Sequence, residues 1–202
     1  AAWLGELAAL RDKYPGLIIR QGIEIGDHAP YREEITAAMD ALPLDFRLLA
    51  LHVVDGMDPY DARFFEGKTQ GEAYRRYVEL RAESIRHFPD YDAVAHLGYV
   101  SKFAPYPPDT RPLRYHHAPE AFDEIFRHMA REGKALEINA SGLQTTDSPL
   151  PGTDLIRRFV ALGGEFFTFG SDAHRPYRIY EHVERAKEMA RGAGVAILAH
   201  QR

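Results

Sequence analysis

The hydrophobic positions of the chain alternate between helical spacing and short β-rich runs. Apolar residues recur at helical spacing over residues 3–14, and Pro15-Gly16 then ends that helix before a β-rich run. The expected strands are residues 17–25, 46–54, 93–100, 135–140 and 165–170, and the expected later helices are residues 32–42, 69–87, 120–131, 153–162 and 179–191. Strict alternation of this kind predicts right-handed crossovers and a parallel sheet, in either a barrel or a doubly wound layer.

The chain is long enough for one sizeable core. It has 202 residues, of which 45% are hydrophobic, and this predicts a single domain over residues 1–202. The Pro-rich stretch of residues 104–119 is the only long segment without periodicity, and loops of that length often line a binding site.

Each expected strand ends in polar or glycine residues that an apolar core would not select. In chain order these endings are Gly22-Ile23-Glu24-Ile25-Gly26, Leu51-His52, Ala95-His96-Leu97-Gly98, Glu137-Ile138-Asn139 and Gly170-Ser171-Asp172-Ala173-His174. Carboxyl ends of parallel strands converge on the ligand site, so we expect the five endings to meet in one cavity. One histidine alone would more often be a satisfied core residue. Imidazoles and carboxylates gathered without a basic patch are costly to bury unless cations are bound, which predicts metal ligation.

The ligand types limit the choice of metal. The sequence has no Cys, so a bound metal must take His nitrogen and carboxylate oxygen, which suits zinc, iron or manganese. Asp172 and His174 are two residues apart at an expected strand end, so their side chains should leave the same face. Glu24 lies between two glycines, and its two carboxylate oxygens are able to bridge two ions.

Charge and composition exclude several classes of partner. Asp and Glu number 30 against 25 Lys and Arg, and the cations are scattered, so a nucleic-acid polymer is not expected. No apolar run is long enough to span a bilayer, and no signal-peptide pattern opens the sequence. The absence of Cys fits a cytoplasmic protein. The oligomeric state stays open.

These strand endings together resemble the PHP (polymerase and histidinol phosphatase) family, and within it the histidinol-phosphate phosphatase branch. The order and spacing of Glu24, His52, His96 and the Gly-Ser-Asp-Ala-His segment match over nearly the whole chain. The resemblance implies a distorted seven-stranded TIM-like barrel, of which about five strand-helix units are present here. It also implies two to three divalent ions, with Glu24 as a bridging ligand and the other ligands being His52, His96, Asp172 and His174.

One departure from the family pattern concerns the start of the chain. The family opens with a His-x-His motif and further His ligands, and no His precedes Glu24. We therefore expect an N-terminally incomplete domain that lacks two strands, about four ligands and roughly 50 residues or more, at about 30 residues per unit. Either another chain supplies that part, or the sequence is a piece of a longer protein.

The resemblance predicts a phosphoric monoester hydrolase that converts L-histidinol phosphate to L-histidinol and phosphate in histidine synthesis. Glu24 and Asp172 would be the catalytic residues, because they would hold the hydroxide that bridges the metal ions. The expected substrate and phosphate contacts are Arg175, Lys102, Asn139 and His28. Two alternatives stay open: a nucleotide or oligonucleotide phosphoesterase, and a metal-poor remnant without catalysis.

Overall fold

Five parallel strands form the sheet of the computed structural model, which describes residues 2–196. The strands are β1 (Gly22–Gly26), β2 (Phe46–Ala50), β3 (Ala93–Val94), β4 (Ala135–Asn139) and β5 (Phe167–Gly170). Their spatial order is the same as their order in the chain, from β1 to β5. The predicted α/β class and parallel sheet are therefore confirmed.

Seven α-helices and five short 3-10 helices connect the strands in the described part of the chain. The α-helices are α1 (Ala2–Lys13), α2 (Arg32–Asp40), α3 (Gln70–His87), α4 (Tyr99–Lys102), α5 (Pro119–Arg131), α6 (Thr153–Ala161) and α7 (Val183–Gly192). The 3-10 helices are Ala29–Tyr31, Ala62–Phe65, Tyr115–His117, Ala140–Gln144 and Pro176–Arg178. None of the described helices is long and apolar enough to cross a membrane.

Helix α3 is the longest helix, and its sequence explains both its start and its packing. The Thr69 hydroxyl accepts a hydrogen bond from the Glu72 backbone N–H while the Glu72 carboxylate accepts one from the Thr69 backbone N–H, which forms a capping box. Tyr74 and Tyr77 lie on the buried face, where they belong to the main hydrophobic core between the sheet and helices α3 and α5. Arg81 is also fully buried, and it donates to the Leu49 carbonyl of β2 at 3.0 Å.

The predicted strand over residues 93–100 is wrong after its first two residues. The chain leaves the sheet after Val94 and turns through His96, whose φ is +22°, and Gly98, whose φ is +129°. Helix α4 then begins at Tyr99, so its first two residues replace the end of the predicted strand. The predicted start of α7 at residue 179 is also wrong, because Tyr180 and His182 have φ values of +72° and +58°, which helical backbone does not allow.

Helix α1 packs loosely against the rest of the chain. Trp3 is half-buried, and no described side chain of α1 is fully buried. Arg11 connects the helix to the sheet region by donating to the Ile19 carbonyl at 2.9 Å and to the Asp45 carboxylate at 3.2 Å. Both interactions are exposed, so α1 adds little to the core.

Candidate metal centre

The carboxyl ends of β1, β2 and β3 bring three side chains together. Glu24 lies in β1, His52 follows β2 by two residues, and His96 follows β3 by two residues. The Nε2 atom of His96 lies 2.8 Å from the Oε1 atom of Glu24, and the Nε2 atom of His52 lies 3.2 Å from that same oxygen. The two Nε2 atoms are 3.3 Å apart.

These three atoms have the chemistry and spacing of a metal-binding site. Four ligands around a tetrahedral zinc at about 2.0–2.1 Å lie roughly 3.3 Å from one another, close to the separations seen here. The pKa of the Glu24 carboxyl lies well below its usual range, because both imidazoles form hydrogen bonds with it. The carboxylate therefore stays charged, as a metal ligand must be.

Backbone geometry and neighbouring rings orient His96. Its ring is nearly fully buried, and its centroid lies 5.0 Å from that of His52 and 5.3 Å from that of Tyr99. Its backbone N–H donates to the Oε2 atom of Glu137 at 2.7 Å. The positive φ of His96 is thus held by a hydrogen bond that its backbone N–H donates to the neighbouring strand β4.

Glu137 is buried between β3 and β5, and its position depends on a glycine. Burial raises the pKa of this carboxyl. A Cβ at Gly170 would lie 2.3 Å from the Oε1 atom of Glu137, so only glycine leaves room for the carboxylate there. Glu137 therefore acts as an internal acceptor for His96 and Asn139, which donates to its Oε2 atom at 3.2 Å.

Asp172 and His174 lie in the same cavity but do not join this cluster. Strand β5 ends at Gly170, and Asp172 has a φ of +53°, so the strand alternation that predicted a shared face does not extend to these residues. The Oδ2 atom of Asp172 instead accepts from Lys102 at 2.8 Å and from the Ser141 hydroxyl at 3.2 Å. The His174 side chain is 85% exposed, and its Nδ1 atom lies 2.9 Å from the Asp172 carbonyl oxygen.

The predicted substrate contacts divide into residues inside and outside the cavity, whose volume is about 690 Å³. Lys102 and Arg175 line it. Asn139 and His28 are not among its lining residues, and their contact with a substrate stays a prediction. Asn139 is buried, and its Oδ1 atom accepts from the backbone N–H and hydroxyl of Ser141, so its side chain is fully engaged within the fold. His28 instead packs against the Tyr31 ring, with the centroids 5.1 Å apart.

Several lining residues did not emerge from the sequence analysis. They are Asp58, Tyr60, Tyr99, Phe103, Gln144, Tyr177 and Arg178. All seven lie within ten residues after the end of a strand, and this position was the signal that the sequence offered. Arg178 donates to the Oε1 atom of Gln144 at 2.9 Å, and this bond joins the 3-10 helices Ala140–Gln144 and Pro176–Arg178.

Comparison with known proteins identifies the family of the chain. No family model matches the sequence. The histidinol-phosphatase of Lactococcus lactis subsp. lactis (strain IL1403) is 30% identical over 193 residues, which cover 95% of this chain and 70% of that protein. This chain belongs to the histidinol-phosphatase family.

A second relative and a solved structure agree with this family. A protein of Clostridium acetobutylicum named "Probable histidinol-phosphatase" is 25% identical over 179 residues, covering 89% of this chain and 69% of that protein. The crystal structure of the Lactococcus lactis histidinol phosphate phosphatase, complexed with zinc, L-histidinol and phosphate, matches with a TM-score of 0.85 and 29% identity. The match covers 98% of this chain and 75% of that one, so the family fold extends over nearly all of the chain.

Proposed function

We propose that this chain hydrolyses L-histidinol phosphate to L-histidinol and phosphate as a metal-dependent phosphoric monoester hydrolase. The observation that carries the proposal is the cluster of Glu24, His52 and His96, whose three donor atoms lie 2.8–3.3 Å apart at one side of the cavity. Membership of the histidinol-phosphatase family supports the substrate. The relative that was crystallised with zinc, L-histidinol and phosphate supports both the metal and the products.

Glu24, His52 and His96 would hold a divalent ion, and zinc, iron and manganese all suit this donor set. When bound, such an ion polarises the phosphoryl group and lowers the pKa of the attacking water. The three protein ligands leave room for that chemistry, because Glu24 and His52 are both about one-third exposed toward the cavity.

Asp172 and His174 are proposed as ligands of further ions, which would give the two to three ions that the PHP resemblance implies. The support is their presence in the lining of the same cavity. Asp172 is already positioned by Lys102 and Ser141, so Lys102 would neutralise this carboxylate as well as attract the phosphate. Glu24 and Asp172 keep their proposed catalytic role of holding the attacking water.

Arg175 is the proposed phosphate-binding cation. It is exposed in the cavity directly after His174, and a guanidinium donates paired hydrogen bonds that match phosphate oxygens. Its neighbour in the lining, Arg178, already donates to Gln144, which leaves fewer of its donors for a ligand.

We infer that the sheet belongs to a distorted seven-stranded barrel of the PHP type within one domain. Doubly wound sheets reverse their strand order at a switch point, whereas barrels keep the sequential order that β1 to β5 follow here. Among the described residues, β1 and β5 each pair on one side only, as strands of an unclosed barrel do. The cytoplasmic location remains a prediction.

The decisive experiment measures ester hydrolysis after loading the protein with zinc, manganese or iron(II) in turn, by released phosphate for monoesters and by released alcohol for the diester. L-histidinol phosphate is compared with p-nitrophenyl phosphate, nucleoside monophosphates and a phosphodiester. A preference for L-histidinol phosphate would support the proposal. Preference for a nucleotide or diester would favour the alternative phosphoesterase, and metal binding without hydrolysis of any ester would favour the remnant without catalysis.

A further inference from the structure

Three carboxylates line the cavity, and one of them differs from the other two in its partners. Glu24 faces two imidazoles, and Asp172 is paired with Lys102 at 2.8 Å. Asp58 has only neutral donors within the described residues: its Oδ1 atom accepts from the Tyr60 backbone N–H at 2.8 Å and from the Tyr99 hydroxyl at 3.1 Å. Its Oδ2 atom has no hydrogen-bond partner in residues 2–196, and no Lys or Arg there lies within ion-pair distance of Asp58.

Tyr99 links Asp58 to the metal centre. Its hydroxyl donates to Asp58 while its ring lies edge-on to His52, with the centroids 4.8 Å apart. Asp58 therefore lies one side chain away from the three ligand atoms. A ligand that spans this distance could place a cationic group at Asp58 and a phosphate group at the metal centre.

An aromatic pair lies beside Asp58. The rings of Tyr60 and Phe103 are edge-on, with the centroids 4.6 Å apart, and both line the cavity. Both side chains are more than one-third exposed, Tyr60 at 65% and Phe103 at 40%. Exposed aromatic rings next to an unpaired carboxylate suit a group that combines a flat ring with a positive charge.

We propose that Asp58 determines specificity for phosphate esters whose leaving group carries a cationic amine, with Tyr60 and Phe103 as the wall for its ring. This inference rests on the proposed function and deepens it. The Oδ2 atom of Asp58 accepts a charge-assisted hydrogen bond from the ammonium group, while the phosphate lies at the metal centre. An ester without the amine leaves that carboxylate oxygen unpaired and gains nothing from Asp58.

Asp58→Asn tests the proposal, because the amide oxygen can still accept from Tyr60 and Tyr99 while the charge is lost. We expect the Kd of L-histidinol, measured by calorimetry, to rise about tenfold or more, as removal of a charged hydrogen bond does. On the same basis, kcat/KM for L-histidinol phosphate should fall about ten- to hundredfold. With p-nitrophenyl phosphate, which has no amine, kcat/KM should stay within about twofold.

Asp61→Asn is the matched control, since it makes the same change three residues away. The Asp61 carboxylate is paired with Arg63 and does not line the cavity, so its loss should leave the Kd and both kcat/KM values unchanged. Tyr60→Ala should raise KM for L-histidinol phosphate about three- to tenfold through lost ring contact.

Two results would overturn the role of Asp58. Equal losses on both substrates would mean that Asp58 acts only by holding Tyr99 and His52, and no change on either would mean that it does not meet the ligand. If the parent protein cleaves p-nitrophenyl phosphate but not L-histidinol phosphate, the proposed function fails separately. In that case an Asp58-dependent Kd for L-histidinol still supports the inference, and absence of L-histidinol binding overturns it.

Discussion

Strands β1 to β3 and strands β4 and β5 all end in polar side chains of similar type, but these side chains have different partners in the two groups of strands. At the ends of β1 to β3, Glu24, His52 and His96 point their donor atoms at one another. At the ends of β4 and β5, the polar side chains are held by donors within the protein: Glu137 by the His96 backbone N–H, and Asp172 by Lys102 and Ser141. Donor atoms thus converge on one another after β1 to β3, whereas the carboxylates of β4 and of the segment after β5 are paired with donors from elsewhere in the protein.

The same contrast explains the burial of these groups. Glu137 and Asn139 are nearly inaccessible and hydrogen-bonded to each other, whereas the Glu24 side chain is 38% exposed. Burial with full internal pairing stabilises the fold, and exposure with converging donors permits a ligand to enter. Substitutions of Glu24 and of Asn139 should therefore separate activity from stability.

The largest expected loss of activity comes from substituting Glu24 in β1. Glu24→Gln should lower phosphate release by more than about a hundredfold, because loss of even an indirect partner of a metal ligand costs about 10–100-fold. The amide keeps the shape of the side chain, so circular dichroism should be unchanged while metal analysis shows lost occupancy. Glu33→Gln on the exposed face of α2 is the control. Normal turnover with normal metal content in Glu24→Gln would remove Glu24 from the site.

Arg175→Ala, in the segment that follows β5, should have the next largest effect on activity. Loss of a charged hydrogen bond to phosphate is expected to lower kcat/KM by about ten- to hundredfold with metal content intact. Arg178→Ala should cost less, since that guanidinium is already bonded to Gln144. If Arg175→Ala stayed within about twofold of the parent, Arg175 would be an ordinary surface cation.

Asn139→Ala should affect stability more than activity. Its side chain accepts from Ser141 at the start of a 3-10 helix, and removing such a cap costs about 1–2 kcal/mol of unfolding free energy. Urea unfolding measures this loss, and kcat/KM should remain within a few-fold. Unchanged stability together with a large loss of kcat/KM would instead support the predicted substrate contact.

The smallest effect is expected at His28. His28→Ala removes a ring contact with Tyr31 outside the cavity, so KM and kcat for L-histidinol phosphate should stay within about twofold. Steady-state kinetics suffice as the measurement. A tenfold rise in KM would mean that the loop after β1 reaches the substrate.

Helices and strands were predicted well from the sequence where the spacing of apolar residues and the capping residues indicate the same element. Helix α3 was expected over residues 69–87 and spans Gln70–His87, because its capping box and its apolar face agree. Strand β3 was overestimated, since the apolar residues of 93–100 read as a buried strand while the turn at His96 depends on Glu137, 41 positions away. The pattern of hydrophobic residues gives no information about that hydrogen bond.

The sequence predicted which residue types form the candidate site, but it did not predict which of their side chains pair with one another. The strand-end rule correctly brought Glu24, His52 and His96 to one edge of the sheet. It gave no information on the ion pair between Asp172 and Lys102, which lies 70 positions earlier and was expected only as a phosphate contact. Asp58 was missed because a single carboxylate in a loop resembles any solvated acid until its neighbours are known.

The loose attachment of α1 has a consequence for optical experiments. Trp3 is the only tryptophan of the chain, and it lies on α1, whereas the fully buried tyrosines Tyr74, Tyr77 and Tyr91 lie in the main core. Tryptophan fluorescence will therefore follow the detachment of one peripheral helix, and near-ultraviolet tyrosine dichroism will follow the core. Two noncoincident melting curves from these signals would indicate sequential unfolding, so the stability of the variants above must be read from the tyrosine signal.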